Sequence, residues 1–162
     1  MKGITINALC KNQGALFLNI FATVLEKYLL YAEDDADDQE MLLEMLNQVD
    51  SNLRLICVSD GYDVIHFMNN LDAGSNYPCV IILDINMPGC DGIQTLRLLK
   101  NDPRYRNIPV VMFSTSNSTK DKDESAAAGA ADFFTKPLSP LQLGAIATNF
   151  AAYCQTVPAK IN

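Results

Sequence analysis

From Lys27 onward, short apolar runs alternate with stretches of helical periodicity. The runs are Lys27–Ala32 (KYLLYA), Leu53–Val58 (LRLICV), Cys79–Leu83 (CVIIL), Ile108–Phe113 (IPVVMF) and the weaker Asp132–Thr135 (DFFT). The third and fourth are nearly continuous in β-branched or bulky apolar residues, the pattern of strands covered on both faces and therefore of a parallel sheet. Between the runs, Asp37 is placed to cap a helix with Glu40 three residues on. Met41, Leu42, Met45, Leu46 and Val49 form its apolar stripe. Val64, Ile65, Met68 and Leu71 make a second stripe. Ile93, Leu96 and Leu99 make a third, opened after Gly92 and closed by Asn101-Asp102-Pro103. A fourth helix, about Lys120 to Ala128, carries its charges early and has only alanines to bury, so it is expected to pack weakly. Leu141, Gly144, Ala145 and Ala147 to Phe150 belong to a last helix, with Pro140 near its first turn.

Parallel crossovers are short and right-handed, which leaves few ways to arrange five strand–helix units. The expected fold is α/β: a doubly wound, five-stranded parallel sheet of order 2-1-3-4-5 with helices on both faces, the flavodoxin-like arrangement. Ligands on such sheets bind beyond the carboxyl ends of the strands, where the order reverses between strands 1 and 3.

The length of 162 residues, with 49% hydrophobic and 19% charged residues, fits about one globular domain. Residues 27–155 are read as that domain, with 1–26 as an N-terminal extension without an assigned role and 156–162 as a short tail. Ala15–Leu25 (ALFLNIFATVL) has the outline of a short signal peptide, but no small-x-small cleavage site follows. No apolar run reaches the roughly 18 residues of a membrane-spanning helix. The net charge of −7 argues against a nonspecific grip on nucleic acid or an anionic membrane. That acidity is local: Glu33 to Asp50 holds eight acids and no Lys or Arg, leaving +1 on the rest of the chain. Five scattered cysteines (Cys10, Cys57, Cys79, Cys90, Cys154) and a lone His66 form neither a CxxC pair nor a metal cluster. A disulfide framework and a zinc site are therefore not expected, Cys57 and Cys79 read as core residues, and a reducing cytoplasm fits best.

The residues that follow the apolar runs carry the chemistry. They are Glu33-Asp34 after strand 1, Asp84 after strand 3, Ser114 after strand 4 and Lys136 after strand 5. Ser59-Asp60 follow strand 2, off to one side. Three carboxylates at one rim repel until a proton, a cation or Lys136 relieves them. Oxygen donors with room for water suit Mg²⁺. Asp84, at the end of a buried strand, is placed to act as an oxygen nucleophile toward phosphorus. Ser114 and Lys136 would then hold phosphoryl oxygens, which makes phosphoryl transfer to Asp84 the implied reaction.

Four segments in this order resemble the receiver domain of two-component response regulators: YAEDD, ILDINMPGCDG, VVMFST and FFTKPL. The spacings of 30 residues from Asp84 to Ser114 and 22 from Ser114 to Lys136 suit that family. DDADDQEML after strand 1 and NDPRYRNIPVV before strand 4 are most similar to the stand-alone kind. The resemblance covers about Lys27 to Tyr153. It implies that Asp34, the Asp84 carboxylate and the Asn86 carbonyl ligate Mg²⁺ directly, with Glu33 reaching it through water. It further implies that Asp84 is the phosphoacceptor, Ser114 the switch hydroxyl, Phe133 the switch aromatic and Lys136 the lysine that pairs a phosphoryl oxygen. Phosphorylation would draw Ser114 inward and let Phe133 follow, remodelling the face of helix 4, strand 5 and helix 5. A cis Lys136-Pro137 bond is also implied. Ser114 and Phe133 stand where Thr and Tyr are common in the family, and Glu33 where Asp is. The chain is a few residues longer around Asp72–Asn76 than compact receivers.

The implied partners are a sensor histidine kinase or phosphotransfer protein and a downstream protein partner, with a homodimer admitted and neither nucleic acid nor membrane contacted directly. On this reading the protein is a switch that catalyses only its own phosphorylation and dephosphorylation. Haloacid-dehalogenase-type phosphatases also use a strand-end Asp with Mg²⁺, but need an acid two residues on; Asn86 transfers no proton. A flavodoxin would find its FMN phosphate repelled by the Glu33–Asp38 loop. A phosphorylation-independent adaptor would ordinarily have lost the acidic pair or the lysine. Asp35, Asp37 and Asp38 read as solvated helix-start charges, His66 as a packing or surface residue, and Tyr105 and Arg106 as turn residues.

Overall fold

The computed structural model describes residues 27–71 and 75–156. The expected extension 1–26, the tail beyond Thr156 and residues 72–74 of the longer connection lie outside the described residues. Ten elements alternate: β1 (Tyr28–Ala32), α1 (Ala36–Val49), β2 (Arg54–Val58), α2 (Gly61–Asn69), β3 (Val80–Leu83), α3 (Gly92–Asn101), β4 (Val110–Ser114), α4 (Thr119–Ala127), β5 (Asp132–Thr135) and α5 (Pro140–Thr156). The strands form one parallel sheet of order β2-β1-β3-β4-β5, the doubly wound topology expected from the alternation of elements. β4 begins later than Ile108 because Pro109 has no N–H to donate; its carbonyl still accepts from Ile81 N at 2.9 Å.

The period of two along β1 divides the core into layers. Tyr28, Leu30 and Ala32 join Val64, Phe67 and Met68 of α2 and Ile93, Leu96 and Leu99 of α3 on one face. Leu29 and Tyr31 join Leu42 and Leu46 of α1 and Leu143, Ala147 and Phe150 of α5 on the other. Each fully buried aliphatic side chain contributes about 1.5–3 kcal/mol relative to exposure. α4 buries only Ser125; its alanines, Ala126 and Ala127, are exposed, so it packs as weakly as expected.

Several local expectations are corrected. Helix α1 is capped by Asp35 rather than Asp37: β1 ends early enough that Asp35 is still extended, and its carboxylate accepts from Asp37 N (2.8 Å) and Asp38 N (3.4 Å). The α1 stripe is narrower than its sequence pattern, with Leu42 and Leu46 buried but Met41 46% and Val49 38% exposed. Tyr105 and Arg106 lie in the turn after α3 as expected; Tyr105 is in addition buried, and its hydroxyl donates to Met68 O at 3.0 Å, tying the α3–β4 connection to the end of α2. His66 lies exposed on α2.

Cys79 and Cys154 form a disulfide, contrary to the expectation of free thiols. The packing of α5 across the β3 side of the sheet sets their Cα atoms 4.9 Å apart, within bridging range. No cis peptide occurs among the described residues, so Lys136-Pro137 is trans; proline makes the two isomers close in energy, and in this arrangement Lys136 N donates to Ser114 O at 2.9 Å. Among the described residues no helix is long and apolar enough to cross a membrane.

Candidate phosphoryl-acceptor site

The site is built where the sheet's hydrogen bonding runs just past the strand ends. Glu33 N donates to Val58 O (3.0 Å), Asp84 N to Ala32 O (3.1 Å) and Lys136 N to Ser114 O (2.9 Å). These bonds fix the backbone of Glu33, Asp84 and Lys136 to neighbouring strands, so their side chains leave one rim from a rigid base. The structure brings Glu33, Asp34, Asp84 and Lys136 together, and one carboxylate oxygen from each of the three acids lies within 4.8 Å of the others.

Their environments differ. Glu33 is 1% exposed and accepts from the Tyr31 hydroxyl (2.8 Å), from Asp35 N (3.2 Å) and from the Lys136 ammonium. Burial raises its carboxyl above the usual range, against the opposing pull of Lys136 and Tyr31. Burial, and after it the Glu33 charge, push the Tyr31 phenol up as well, so it stays a donor. Asp34 is exposed and supplies the open side. Asp84 is 5% exposed, and its Oδ1 has no hydrogen-bond partner.

Lys136 is not seated on Asp84. Its ammonium bonds Glu33 and, at 2.6 Å, Asp38 Oδ2, while Asp84 Oδ1 is 3.9 Å away. Burial works to lower its pKa, but the bonds to Asp38 and Glu33 outweigh this and the net shift is upward, so the side chain is a firm cation. Asp38 is therefore more than a solvated helix-start charge. The sequence signal for it was weak, since 98 residues separate it from Lys136 and only the fold joins them.

Ser114 is fully buried at the end of β4, and its hydroxyl accepts from Ser116 N at 3.4 Å. Phe133, half-buried on β5, packs against the α2–α3 core, and the Lys122 ammonium of α4 sits 5.7 Å from its ring centroid. Phe134 points to the opposite layer, edge-on to Phe150. Asn86 is exposed on the loop after β3. Gly92 lets α3 begin against that loop: its N–H donates to Ile85 O at 3.1 Å, and a Cβ there would stand 2.0 Å from Asp84 O.

The donor set fits a small hard cation. Three carboxylates converge, one buried oxygen of Asp84 lacks a hydrogen-bond donor, and Asp34 opens the site to water. Mg²⁺ takes such oxygens while keeping several waters.

Residues 29–148 match the family profile described as the response regulator receiver domain. The response regulator PleD of Caulobacter vibrioides is 33% identical over 106 residues, which are 61% of this chain and 23% of PleD. The phosphate regulon transcriptional regulatory protein PhoB of Escherichia coli is 31% identical over 119 residues, 74% of this chain and 49% of PhoB. The chain thus spans under half the length of these two curated relatives. Among solved structures, the phosphorylated cyanobacterial phytochrome response regulator RcpA superposes with a TM-score of 0.72 at 26% identity, covering 80% of this chain and 94% of that one. The Mn²⁺-bound form of response regulator Rcp1 gives 0.72 at 27% identity, covering 83% and 99%. Receiver domains are signalling switches that bind Mg²⁺ at an acidic pocket. With the sheet order, the carboxylates and lysine at its rim and the profile all in agreement, the chain belongs to the response regulator receiver family.

Proposed function

We propose that residues 27–155 form a Mg²⁺-dependent phospho-accepting switch, with Asp84 as the acceptor. The observation that carries this reading is the Asp84 carboxylate: buried, held by the sheet, and with one oxygen free of hydrogen bonds at the rim where two further acids and a lysine converge. A carboxylate so placed attacks phosphorus. The new bond joins an Asp84 oxygen to phosphorus, the bond from phosphorus to the donor breaks, and a donor histidine leaves as imidazole, taking a proton from solvent. Hydrolysis reverses the capture, with water providing the incoming oxygen and Asp84 leaving as carboxylate.

Asp34, the Asp84 carboxylate and the Asn86 carbonyl would hold Mg²⁺, with Glu33 acting through water. The ion supplies charge neutralisation at the phosphoryl oxygens. Lys136 offers its ammonium to one of those oxygens and Ser114 its hydroxyl to another. As Ser114 turns inward, Phe133 follows, and the face of α4, β5 and α5 changes. The weak packing of α4 supports such a movement. The phosphodonor is a sensor histidine kinase or phosphotransfer protein, and the altered face is read by a downstream protein or a second copy of the chain. Incubation with Mg²⁺ and acetyl phosphate should add the mass of one phosphoryl group to the wild type and none to Asp84→Asn; an unchanged wild-type mass overturns the reading.

A further inference from the structure

We propose that Asp38 is a positioning residue for Lys136: from the first turn of α1 it holds the ammonium off the Asp84 carboxylate, leaving that carboxylate free to attack and the lysine ready for the oxygens it gains. The inference rests on the reading of Asp84 as phosphoacceptor and assigns how the site is kept open before the reaction.

An ammonium has three N–H donors. Here two are engaged, by Glu33 and by Asp38 Oδ2 at 2.6 Å. Glu33 is itself fixed by Tyr31 and by Asp35 N, so it cannot follow the lysine. Asp38 is held on the other side, its N–H bound to the Asp35 cap at 3.4 Å, and its side chain is 33% exposed. Between them they leave Nζ 3.9 Å from Asp84 Oδ1, outside the reach of a hydrogen bond.

That separation is not the one Asp84 alone would favour. A buried carboxylate oxygen lacking a hydrogen bond attracts a cation strongly, and charge-assisted N–H···O bonds settle at about 2.7–2.9 Å. The ammonium stays back because two other carboxylates hold it. If it closed on Asp84, it would occupy the Oδ1 lone pairs that the carboxylate needs free for attack on phosphorus. At 3.9 Å it does not, yet its third N–H lies within reach of an oxygen added to Asp84. The charge of Asp38 is therefore used across the site, joining α1 to the loop after β5, and not only at its own helix start.

Asp38→Ala tests this in two ways. In the metal-free protein, a crystal structure should show Lys136 Nζ moved to within hydrogen-bond distance of Asp84; an ammonium still standing off Asp84 overturns the proposal. With Mg²⁺ and acetyl phosphate, the rate of phosphate gain should fall by about tenfold to a hundredfold, the upper figure being the cost of misplacing a reacting group by about 1 Å. A rate equal to or above wild type overturns it. Asp38→Asn, which keeps an acceptor without the charge, should lie between. In a Lys136→Met background, Asp38→Ala should cause no further loss, because Asp38 acts only through the lysine; a loss that persists there overturns the proposal. Should Lys136→Met not fold, the metal-free structure decides alone. A wild type that takes up no phosphate would instead strike at Asp84 as acceptor.

Discussion

Gly92 and Asp84 stand in backbone contact: a Cβ built on Gly92 would lie 2.0 Å from the Asp84 carbonyl oxygen and 3.1 Å from Ile85 Cα. The first turn of α3 thus presses on the peptide that carries the proposed acceptor. Both sides of the contact are backbone, so no side chain can swing away to relieve it. Gly92→Ala should destabilise the fold by about 1–3 kcal/mol or more, the usual cost of overpacking. It should also weaken Mg²⁺ binding, since Asp84 must shift. Urea unfolding and a metal titration on the same variant check both.

The aromatic group on the α1–α5 side gives a second expectation. Phe150 is fully buried and meets Phe113 and Phe134 edge-to-face, with centroids 5.5 and 5.4 Å apart. Phe150→Ala should cost about 3–5 kcal/mol in urea unfolding. The loss should exceed that of Phe133→Ala, whose ring is only half-buried.

Magnesium should act on stability as well as chemistry. The buried Glu33 and Asp84 carboxylates repel one another and Asp34, and a bound cation relieves that repulsion only in the folded protein. At a concentration one hundred times its Kd, Mg²⁺ should add about 2.7 kcal/mol. Differential scanning calorimetry should show a Tm that rises with Mg²⁺ and returns to its starting value on adding EDTA. Asp34→Asn should lose most of the rise, whereas Asp60→Asn, off to one side at the end of β2, should keep it.

The Cys79–Cys154 pairing is checked by thiol counting. After unfolding without reductant, an alkylating reagent should label Cys57 and Cys90 and leave Cys79 and Cys154 untouched. The bridge closes a separation of 75 residues, so reduction should lower stability by about 4 kcal/mol on chain-entropy grounds. Labelling of Cys79 and Cys154 would remove the bridge from the account.

How far the chain could be read in advance depended on the range of the interaction. β3 and β4 were legible because strands covered on both faces need unbroken apolar runs, and their ends were legible because chemistry begins where the runs stop. The α1 cap was not: Asp35, Asp37 and Asp38 can all cap, and the choice depends on where β1 releases the chain, which its pairing with β2 decides. Asp38–Lys136 and Cys79–Cys154 join residues 98 and 75 positions apart. No local pattern marks such pairs; each exists because a helix packs on one particular side of the sheet.

The central claim is that a phosphoryl group becomes attached to the Asp84 carboxylate. Borohydride reduces an acyl phosphate to the alcohol, releasing phosphate and turning an aspartyl phosphate into homoserine. After treatment with acetyl phosphate and Mg²⁺, then borohydride, peptide mass mapping should find homoserine at position 84 and nowhere else. An unmodified Asp84, or homoserine at Asp34 or Asp38 in its place, would contradict the account.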